Sequence, residues 1–410
     1  MIRTLTVFVA AALSATAQSD AGLDLWLRIR EHVRASAVGL PNYSCQETME
    51  RSILSRAGQI EFRERLRLEV LFTETTELFA WPGSSEFTSE ALESWIGAGA
   101  ISNGDFAAEI LNLFVVSAAT VSYSGSDTFE QRPVLRFDFH MPLLSSRYSL
   151  SIQGKSATTP YSGSFWVDRE SLDLIRLEMH AEQIPSDLDC REAHRSITYG
   201  QTTPGNGDRL LPSAAELTIV SRDGHASRNA IAFNNCHHYS SVSTLSFTEP
   251  SDSTLPAKSG PQRALPADVE LALRLEEPIS IAKSMAGDQI TARLDKAVNA
   301  GGVLLPKGTR VLGRIRRLEQ HLSSPPSILV GLQFFAAEAP DGLVAFSARL
   351  TGPRASPDVI KVVNNRMESV PGTVGLNIEE DGRRPGLGSF RVPGKELRVE
   401  RGFRTVWKTQ

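Results

Sequence analysis

Three cysteines and eight histidines are the residues of this chain best suited to redox chemistry or metal binding. Cys45, Cys190 and Cys236 can form at most one disulfide bridge, and they lack the paired spacing of a zinc site. Cys236 precedes His237 and His238, but neighbouring side chains of a strand point to opposite faces, so His237 would point away from both neighbours. We therefore expect a structural thiol beside surface imidazoles, with no metal and no other cofactor.

The position of the cysteines on strands favours one pairing for the bridge. Three strands of an up-down-up meander are expected at residues 190–199, 210–221 and 226–240. Cys190 would lie at the bottom of the first strand and Cys236 near the top of the third. At about 3.3 Å per residue they would be some 25 Å apart, whereas a disulfide needs Cα atoms within about 7 Å. Of the two pairings left, we predict Cys45 with Cys236.

Sequence motifs of the main catalytic classes are missing from the chain. It contains no G-x-S-x-G, no H-E-x-x-H, no phosphate-binding P-loop and no G-x-G-x-x-G after a strand. The pairs Glu47 with Glu50 and Asp187 with Asp189 have the residue types of a glycosidase acid and base. No spacing rule selects them, and carboxylates are common on strand faces and turns. We predict that the protein is not an enzyme.

The N-terminus indicates export. Residues 1–17 read MIRTLTVFVAAALSATA, with a positive charge at Arg3, an apolar run from Leu5 to Leu13 and a small-x-small cleavage pattern at the end. This run is far shorter than the roughly 20 residues that span a bilayer. We predict a signal peptide over residues 1–17 and a periplasmic or outer-membrane-associated protein, with no transmembrane segment after cleavage.

Length and charge predict two domains. A chain of 410 residues exceeds one ordinary domain, and the Pro- and Ser-rich stretch EPSDSTLPAKSGPQRAL predicts a linker over 249–265 between domains at 18–248 and 266–410. Residues 18–260 hold 20 basic and 31 acidic side chains, whereas residues 261–410 hold 22 and 16. This split is compatible with attraction between the two domains or with an anionic partner of the second, such as a lipid headgroup or an acidic glycan, but solvated surfaces that differ by drift are the favoured interpretation. The basic excess is too small to indicate nucleic-acid binding.

Hydrophobic periodicity predicts the elements that must position any site. The apolar positions of an amphipathic first helix are Leu23, Trp26, Ile29, Val33 and Ala37. From Ile60 to Val70 apolar and charged residues alternate, except at Glu64, and Phe72 extends the apolar series. This pattern predicts a strand of about thirteen residues in a sheet with only one face covered. The apolar segment 89–114 predicts short helices that lie on that face.

The full pattern predicts a mainly β (α+β) fold. We expect a long curved antiparallel half-barrel with a helical insert, followed by a small all-β barrel or sandwich domain. The many Pro, Gly and Asn residues near 352–385 predict a long loop in the second domain.

Two parts of the chain resemble known families. The run SFWVDRESLDLIRLEM resembles a hairpin of the LolA/LolB/LppX lipoprotein-carrier superfamily, and with the surrounding elements the resemblance covers about residues 23–247. It implies an incomplete barrel around a helical plug, with an apolar cavity that holds acyl chains. The same region is similar to exported bacterial proteins that share LPNYSCQETMER, GDF and FNNCHHY, which implies no activity.

The second region resembles the C-terminal β-barrel of TrbI/VirB10-like envelope proteins. The segment GDQITARLDKAVNAGGVLLPKGTRVLGRI carries this resemblance, which covers about residues 268–350. The long barrel and membrane-crossing antenna of that family are missing, so no conjugation-channel role is implied.

The favoured hypothesis is a non-catalytic cell-envelope protein that binds an apolar or lipid-like ligand between the sheet and the helical insert. The wall residues would be Phe62, Leu66, Leu68, Val70, Leu135, Phe137 and Phe139, and the lid residues Trp95, Phe106, Ile110 and Phe114. In the opposing interpretation the insert fills this space and the same side chains are core. The alternative function is an envelope structural or assembly protein that docks a partner through its basic C-terminal β domain. An enzyme acting on envelope glycans or lipids is a third hypothesis.

Overall fold

The computed structural model describes most of the chain between residues 22 and 410. The described ranges are 22–36, 42–73, 77–84, 86–88, 92, 110–116, 118–152, 155–202, 209–239, 263–353, 360–363, 377–379 and 386–410. The predicted signal peptide, Trp95, Phe106 and the first part of the predicted linker lie outside them. None of the described helices is both long and apolar enough to cross a membrane.

The fold is mainly β, as predicted. Strands account for 62% of the structure, and the large antiparallel sheet is not closed into a barrel. The first twelve strands are β1 Tyr43–Leu54, β2 Ile60–Phe72, β3 Glu77–Ala80, β4 Thr120–Phe129, β5 Arg132–Met141, β6 Ser149–Ile152, β7 Lys155–Thr158, β8 Tyr161–Asp168, β9 Leu174–Ala181, β10 Glu192–Thr202, β11 Arg209–Val220 and β12 Ala226–His238. Helix α1 covers residues 22–36, a π-helical turn covers Leu111–Val116 and a 3-10 turn covers Leu143–Ser145.

The strands after the predicted linker are shorter on average. They are β13 Arg263–Ala264, β14 Glu270–Leu275, β15 Ile279–Ser280, β16 Gln289–Leu294, β17 Val298–Ala300, β18 Val303–Leu305, β19 Arg310–His321, β20 Ser327–Ala339, β21 Gly342–Ala345, β22 Ala348–Pro353, β23 Ile360–Val363, β24 Asn377–Glu379, β25 Gly388–Pro393, β26 Glu396–Val399 and β27 Arg404–Thr409. Three of them, β13, β23 and β24, lie where the sequence predicted linker or loop.

The chain folds into two compact units, and neither is continuous in sequence. Unit 1 comprises Met1–Cys45, Phe72–Glu77 and Ala100–Ser240, and unit 2 comprises Gln46–Leu71, Leu78–Gly99 and Ser241–Gln410. Most of β1 and nearly all of β2 therefore belong with the C-terminal strands. The predicted division near residues 249–265 placed β1 and β2 in the first domain. Hydrophobic alternation identifies a strand but does not identify its partners.

Unit 1 contains a seven-stranded antiparallel meander in the order β4-β5-β8-β9-β10-β11-β12. Its inner face carries a cross-strand row of mostly apolar side chains, one from each strand. The row runs through Tyr123, Phe137, Phe165, Leu177, Ile197, Ala215 and Ile231. Because side chains alternate between faces, the outer face carries polar residues at the intervening positions.

Helix α1 lies against the inner face of the unit 1 sheet. Trp26, Ile29 and Val33 are buried at steps of three and four residues, which places them on one side of the helix. Leu23, which the sequence assigned to the same apolar side, is 58% exposed, so that part of the prediction is wrong. Leu23 lies about 60° around the helix from Trp26 because successive residues are about 100° apart.

Unit 2 is all-β in its described residues. A run of antiparallel strands follows the order β25-β20-β19-β16-β14-β27-β22, and its core includes the fully buried rings of Phe334, Phe390, Phe403 and Trp407. The end of β19 also pairs with β2, where Glu319 lies opposite Glu64.

Both faces of β2 make contacts inside unit 2. Its apolar positions from Phe62 to Phe72 are buried, as the alternation predicts, and Ile60 is partly buried. On the charged face, Arg65 donates hydrogen bonds to the carbonyl oxygens of Ile281 and Ser284 at 3.2 and 3.3 Å, and Arg67 forms a 2.5 Å ion pair with Asp288. The expectation that the charged face is uncovered is therefore wrong for this strand.

Candidate functional site

Aromatic side chains form a cluster between α1 and the sheet of unit 1. The ring centroid of Trp26 lies 5.6 Å from those of both Phe114 and Phe165. The rings of Phe137 and Phe165 stack with centroids 5.1 Å apart and planes 3° apart. All four rings are buried, so α1 and the π-helical turn cover this part of the sheet. We call these four residues the aromatic cluster.

Polar contacts attach α1 to the rest of unit 1. The guanidinium of Arg30 donates to the carbonyl oxygens of Phe114 at 3.0 Å and Val115 at 3.3 Å. On another side of the helix, Nε2 of His32 lies 2.8 Å from Oδ1 of Asp173, in the turn between β8 and β9. These contacts hold the helix at the π-helical turn and at the end of the β8–β9 hairpin.

Apolar side chains next to the aromatic cluster are open to solvent. Leu23 and Leu27 are 58% and 52% exposed, and Val116 is 56% exposed. Leu23, Leu27 and Arg30 share one stripe of α1 because they are separated by four and three residues. Arg30 binds the end of the π-helical turn, so this stripe lies beside Val116.

Tyr123 extends the exposed apolar surface onto β4. Its ring lies 5.1 Å from that of Phe137, and its side chain is 37% exposed. A Cβ built on Gly22, the first residue of α1, would lie 3.3 Å from the Tyr123 Cβ. We call Leu23, Leu27, Val116 and Tyr123 the apolar rim.

The predicted wall and lid residues are divided between the two units. Ile110, Phe114, Leu135, Phe137 and Phe139 lie in unit 1, whereas Phe62, Leu66, Leu68 and Val70 lie in unit 2. All nine are buried. In unit 2, the ring of Phe62 packs edge-on against His321 at 5.3 Å. Trp95 and Phe106 lie outside the described residues.

Sequence reasoning left two members of the aromatic cluster out of the ligand wall. Trp26 was assigned to the helix, and Phe165 to the β8–β9 hairpin, without a role at the site. The signal was present in both cases: Trp26 is the largest apolar residue of α1, and Phe165 lies in the same hairpin run as Trp166 and Val167.

The outer face of the unit 1 sheet is polar and internally hydrogen-bonded. Burial raises the pKa of Asp138, but hydrogen bonds from Ser124 and Ser164 and the nearby Arg136 guanidinium outweigh it, so its pKa lies below the usual value. The Trp166 N–H donates to Asp127 at 3.0 Å and lowers the pKa of that carboxyl. The carboxylates of Asp127 and Asp138 are therefore engaged by their neighbours.

One disulfide joins distant parts of unit 1. Cys45 is bonded to Cys236, which is the pairing favoured from the sequence. Beside it, the Tyr239 N–H donates to the carbonyl oxygen of Asn42 at 2.9 Å. Cys190 is a buried free thiol, and burial raises its pKa, so it is unsuited to thiolate chemistry.

Unit 2 contains a polar cavity of about 270 Å³. Its lining includes Arg67, Glu277, Ser284 and Asp288. Arg67 and Asp288 pair with each other, and Oδ2 of Asp288 accepts from the Met285 N–H at 2.8 Å. Arg67 and Asp288 are therefore engaged in holding the loop after β15, and Glu277 accepts a 3.3 Å hydrogen bond from Thr291.

No protein-family model matches the chain, and no curated protein matches it. Among solved structures, it is similar to a domain from Vibrio parahaemolyticus described as an outer membrane lipoprotein-sorting protein, at 10% identity and a TM-score of 0.31, over 55% of this chain and 95% of that one. It is similar to a DUF1329 family protein from Desulfovibrio piger at 14% identity and a TM-score of 0.30, over 55% and 95%. A LolA superfamily protein from Nitrosomonas europaea follows at 11% identity and a TM-score of 0.27, over 52% and 93%. These comparisons give no support to the resemblance of residues 268–350 to TrbI/VirB10-like proteins.

Proposed function

We propose that this chain is a non-catalytic, exported cell-envelope protein that binds a lipid-like apolar ligand between α1 and the sheet of unit 1. The observation that carries the proposal is the apolar rim. Three of its side chains are more than half exposed beside the buried aromatic cluster. Leaving apolar surface in water costs about 25 cal/mol per Å², and clustered exposed apolar side chains are typical of ligand or membrane contact sites.

The way α1 is attached favours a ligand that enters beneath it. The helix buries Trp26, Ile29 and Val33 against the sheet, while Arg30 and His32 supply polar contacts at its sides. An acyl chain that lifted the helix would replace one apolar contact with another, so the cost would be limited mainly to the polar contacts of Arg30 and His32. The wall would then consist of Ile110, Phe114, Leu135, Phe137 and Phe139.

Export is part of the proposal and rests on the pattern of residues 1–17. A signal sequence would deliver the chain to a compartment where thiols oxidise, in agreement with a bridge between Cys45 and Cys236. The same compartment contains lipids and lipid-modified proteins, which are the expected sources of an acyl-chain ligand.

Fatty-acid binding tests the proposal directly. A fluorescent fatty acid titrated into delipidated protein should bind saturably, and native mass spectrometry of protein from an envelope fraction should show a bound lipid that delipidation removes. The double variant Leu23→Glu/Leu27→Glu places charge on the rim and should weaken binding at least about tenfold.

A matched control uses Leu304, an apolar side chain of unit 2 that is 61% exposed. Leu304→Glu makes the same chemical change away from the rim and should leave binding unchanged. If nothing is released on delipidation and the fluorescent fatty acid does not bind above background, the proposal fails. It also fails if Leu304→Glu weakens binding as much as the rim variant does.

A further inference from the structure

Two histidines and a glutamate converge on the outer face of the unit 1 sheet. His180 on β9 and His194 on β10 lie directly opposite each other across the strands. Their rings stack with centroids 4.3 Å apart and planes 17° apart. Glu178 lies two positions before His180 on β9 and therefore on the same face. One ligand atom from each of the three lies within 4.8 Å of the others.

We propose that Glu178, His180 and His194 bind one divalent transition-metal ion, for which Zn²⁺ is the expected occupant. Two imidazole nitrogens and one carboxylate oxygen form a donor set that suits zinc and copper and is poor for magnesium or calcium. Zinc sites with three protein ligands keep their fourth position open. His180 is exposed, so that position would face solvent.

Rotation of at least one imidazole ring must convert the present arrangement into a metal site, because each nitrogen binds a metal in the plane of its ring and the two stacked ring planes are only 17° from parallel. Zinc bonds of about 2.0–2.1 Å to tetrahedral ligands place the ligand atoms about 3.4 Å apart. The ligand atoms lie within 4.8 Å of one another, so the largest separation must close by at most about 1.4 Å. Because His180 is exposed and Glu178 and His194 are partly exposed, rotation about side-chain bonds can supply this movement without moving β9 or β10.

One ring nitrogen of His194 lacks a hydrogen-bond partner among the described residues. This nitrogen, Nε2, is buried. A buried polar atom without a hydrogen-bond partner costs folding free energy, and such unpaired atoms are rare in native proteins. A metal ion on this nitrogen would provide the partner.

The carboxylate of Glu178 is already oriented by a neighbouring cation. Oε1 of Glu178 accepts a 2.7 Å hydrogen bond from Nε of Arg176, and Nη1 of Arg176 donates to Oγ1 of Thr198 at 3.1 Å. This hydrogen bond fixes the orientation of the whole carboxylate group, including its second oxygen. Outer-shell partners orient the ligands of known metal sites in the same way. The charge of Arg176 opposes a cation, so moderate affinity is expected.

Zinc binding to the full mature chain tests this proposal. Competition against a chromophoric chelator should show one equivalent of Zn²⁺ bound to the wild-type protein. His180→Ala, His194→Ala and Glu178→Gln should each weaken binding at least about tenfold. The double variant His237→Ala/His238→Ala removes an exposed pair of neighbouring imidazoles at the end of β12 and should bind Zn²⁺ like the wild type.

A spectroscopic measurement identifies the donors. Cu²⁺ bound in place of Zn²⁺ should show electron paramagnetic resonance couplings from two imidazole nitrogens, reduced to one in His180→Ala. The proposal is overturned if the wild type binds no Zn²⁺ saturably, or if His180→Ala binds Zn²⁺ as tightly as the wild type does. Because His180 is exposed, His180→Ala is expected to fold. This variant therefore tests the proposal even if His194→Ala does not fold.

Discussion

Arg51 and Glu64 form an ion pair in which the two side chains are only 2% and 3% exposed. Both residues lie in unit 2, on β1 and β2. Glu64 is also the charged residue that stands at an apolar position in the alternation of β2, so this exception in the sequence corresponds to a buried charge. Burying a charge is costly unless its partner is present, and this pair therefore disfavours any other register of β2.

Removing one member of this pair should destabilise the protein strongly. Glu64→Leu leaves Arg51 buried without this carboxylate and is expected to lower the free energy of unfolding by about 3–5 kcal/mol. The double variant Arg51→Met/Glu64→Leu should recover much of the loss, because an apolar pair carries no desolvation cost. Urea unfolding of the single and double variants measures both effects.

A control for this cycle is available on the same two strands. Glu50 pairs with Arg63 at 3.5 Å, and both side chains are well exposed. Glu50→Gln should change the free energy of unfolding by less than about 1 kcal/mol. The interpretation is contradicted if the loss of unfolding free energy in the double variant of the buried pair equals the sum of the losses in its two single variants.

The disulfide should contribute substantially to the stability of unit 1. It closes a loop between residues separated by 191 positions, so Cys45→Ser/Cys236→Ser should lower the free energy of unfolding by about 2–5 kcal/mol. Thiol titration in denaturant should find one free thiol in the wild type, from Cys190. Cys190→Ala is the control and should abolish that thiol while leaving the bridge intact. Three titratable thiols in protein isolated from the envelope would refute the pairing.

Arg30 should control how firmly α1 is held. Arg30→Met keeps the length of the side chain but removes its hydrogen bonds to Phe114 and Val115. Amide hydrogen exchange in α1 should become about thirtyfold faster, since the two lost hydrogen bonds contribute about 1 kcal/mol each and every 1.4 kcal/mol is a factor of ten. Arg34→Met removes an exposed ion pair with Glu31 on the same helix and should change exchange much less. Equal protection of α1 in wild type and Arg30→Met would show that apolar packing alone holds the helix.

The sequence predicted elements more reliably than it predicted their neighbours. The alternation of β2, the period of α1 and the meander of β10 to β12 all reflect local burial, which a single segment records in its own residue types. The contacts of Arg65 with Ile281 and Ser284 link positions more than 200 residues apart. No local pattern contains that information, so the sequence grouped β2 with the meander.

Because local patterns do not record contacts between distant positions, sequence reasoning also missed several residues of the candidate sites. Trp26 was recognised as a buried helix residue, but its position over Phe165 depends on where α1 crosses the sheet. His180 and His194 are brought together by the register of β9 and β10, and their spacing along the chain gives no sign of it. Cys236, His237 and His238 are adjacent in sequence, so the question of metal binding was raised for β12 and not for β9 and β10.

The stability of unit 1 should depend on pH through Asp138. Its pKa is lowered in the folded state, so its contribution is present above the unfolded pKa of about 3.9 and is lost as the pH falls through the lower folded value. Asp138→Asn should cost about 1 kcal/mol at pH 7, a typical value for a partly exposed, hydrogen-bonded charge. The difference from wild type should narrow below pH 4. Asp187→Asn, at an exposed position, is the control, and a difference that stays constant down to pH 2 would exclude this role for Asp138.

Gly287 should be the glycine of unit 2 least able to accept a side chain. Its φ is +103°, and a Cβ there would lie 2.0 Å from the main-chain carbonyl oxygen of Arg67. Gly302 also has a positive φ, +76°, but a Cβ there would meet no atom within 4 Å. Gly302→Ala should therefore cost only the backbone strain of about 1–2 kcal/mol, whereas Gly287→Ala must also push Arg67 and β2 away. We expect the loss of unfolding free energy for Gly287→Ala to be at least twice that for Gly302→Ala. Equal losses in urea unfolding would mean that β2 does not approach the loop at Gly287 this closely.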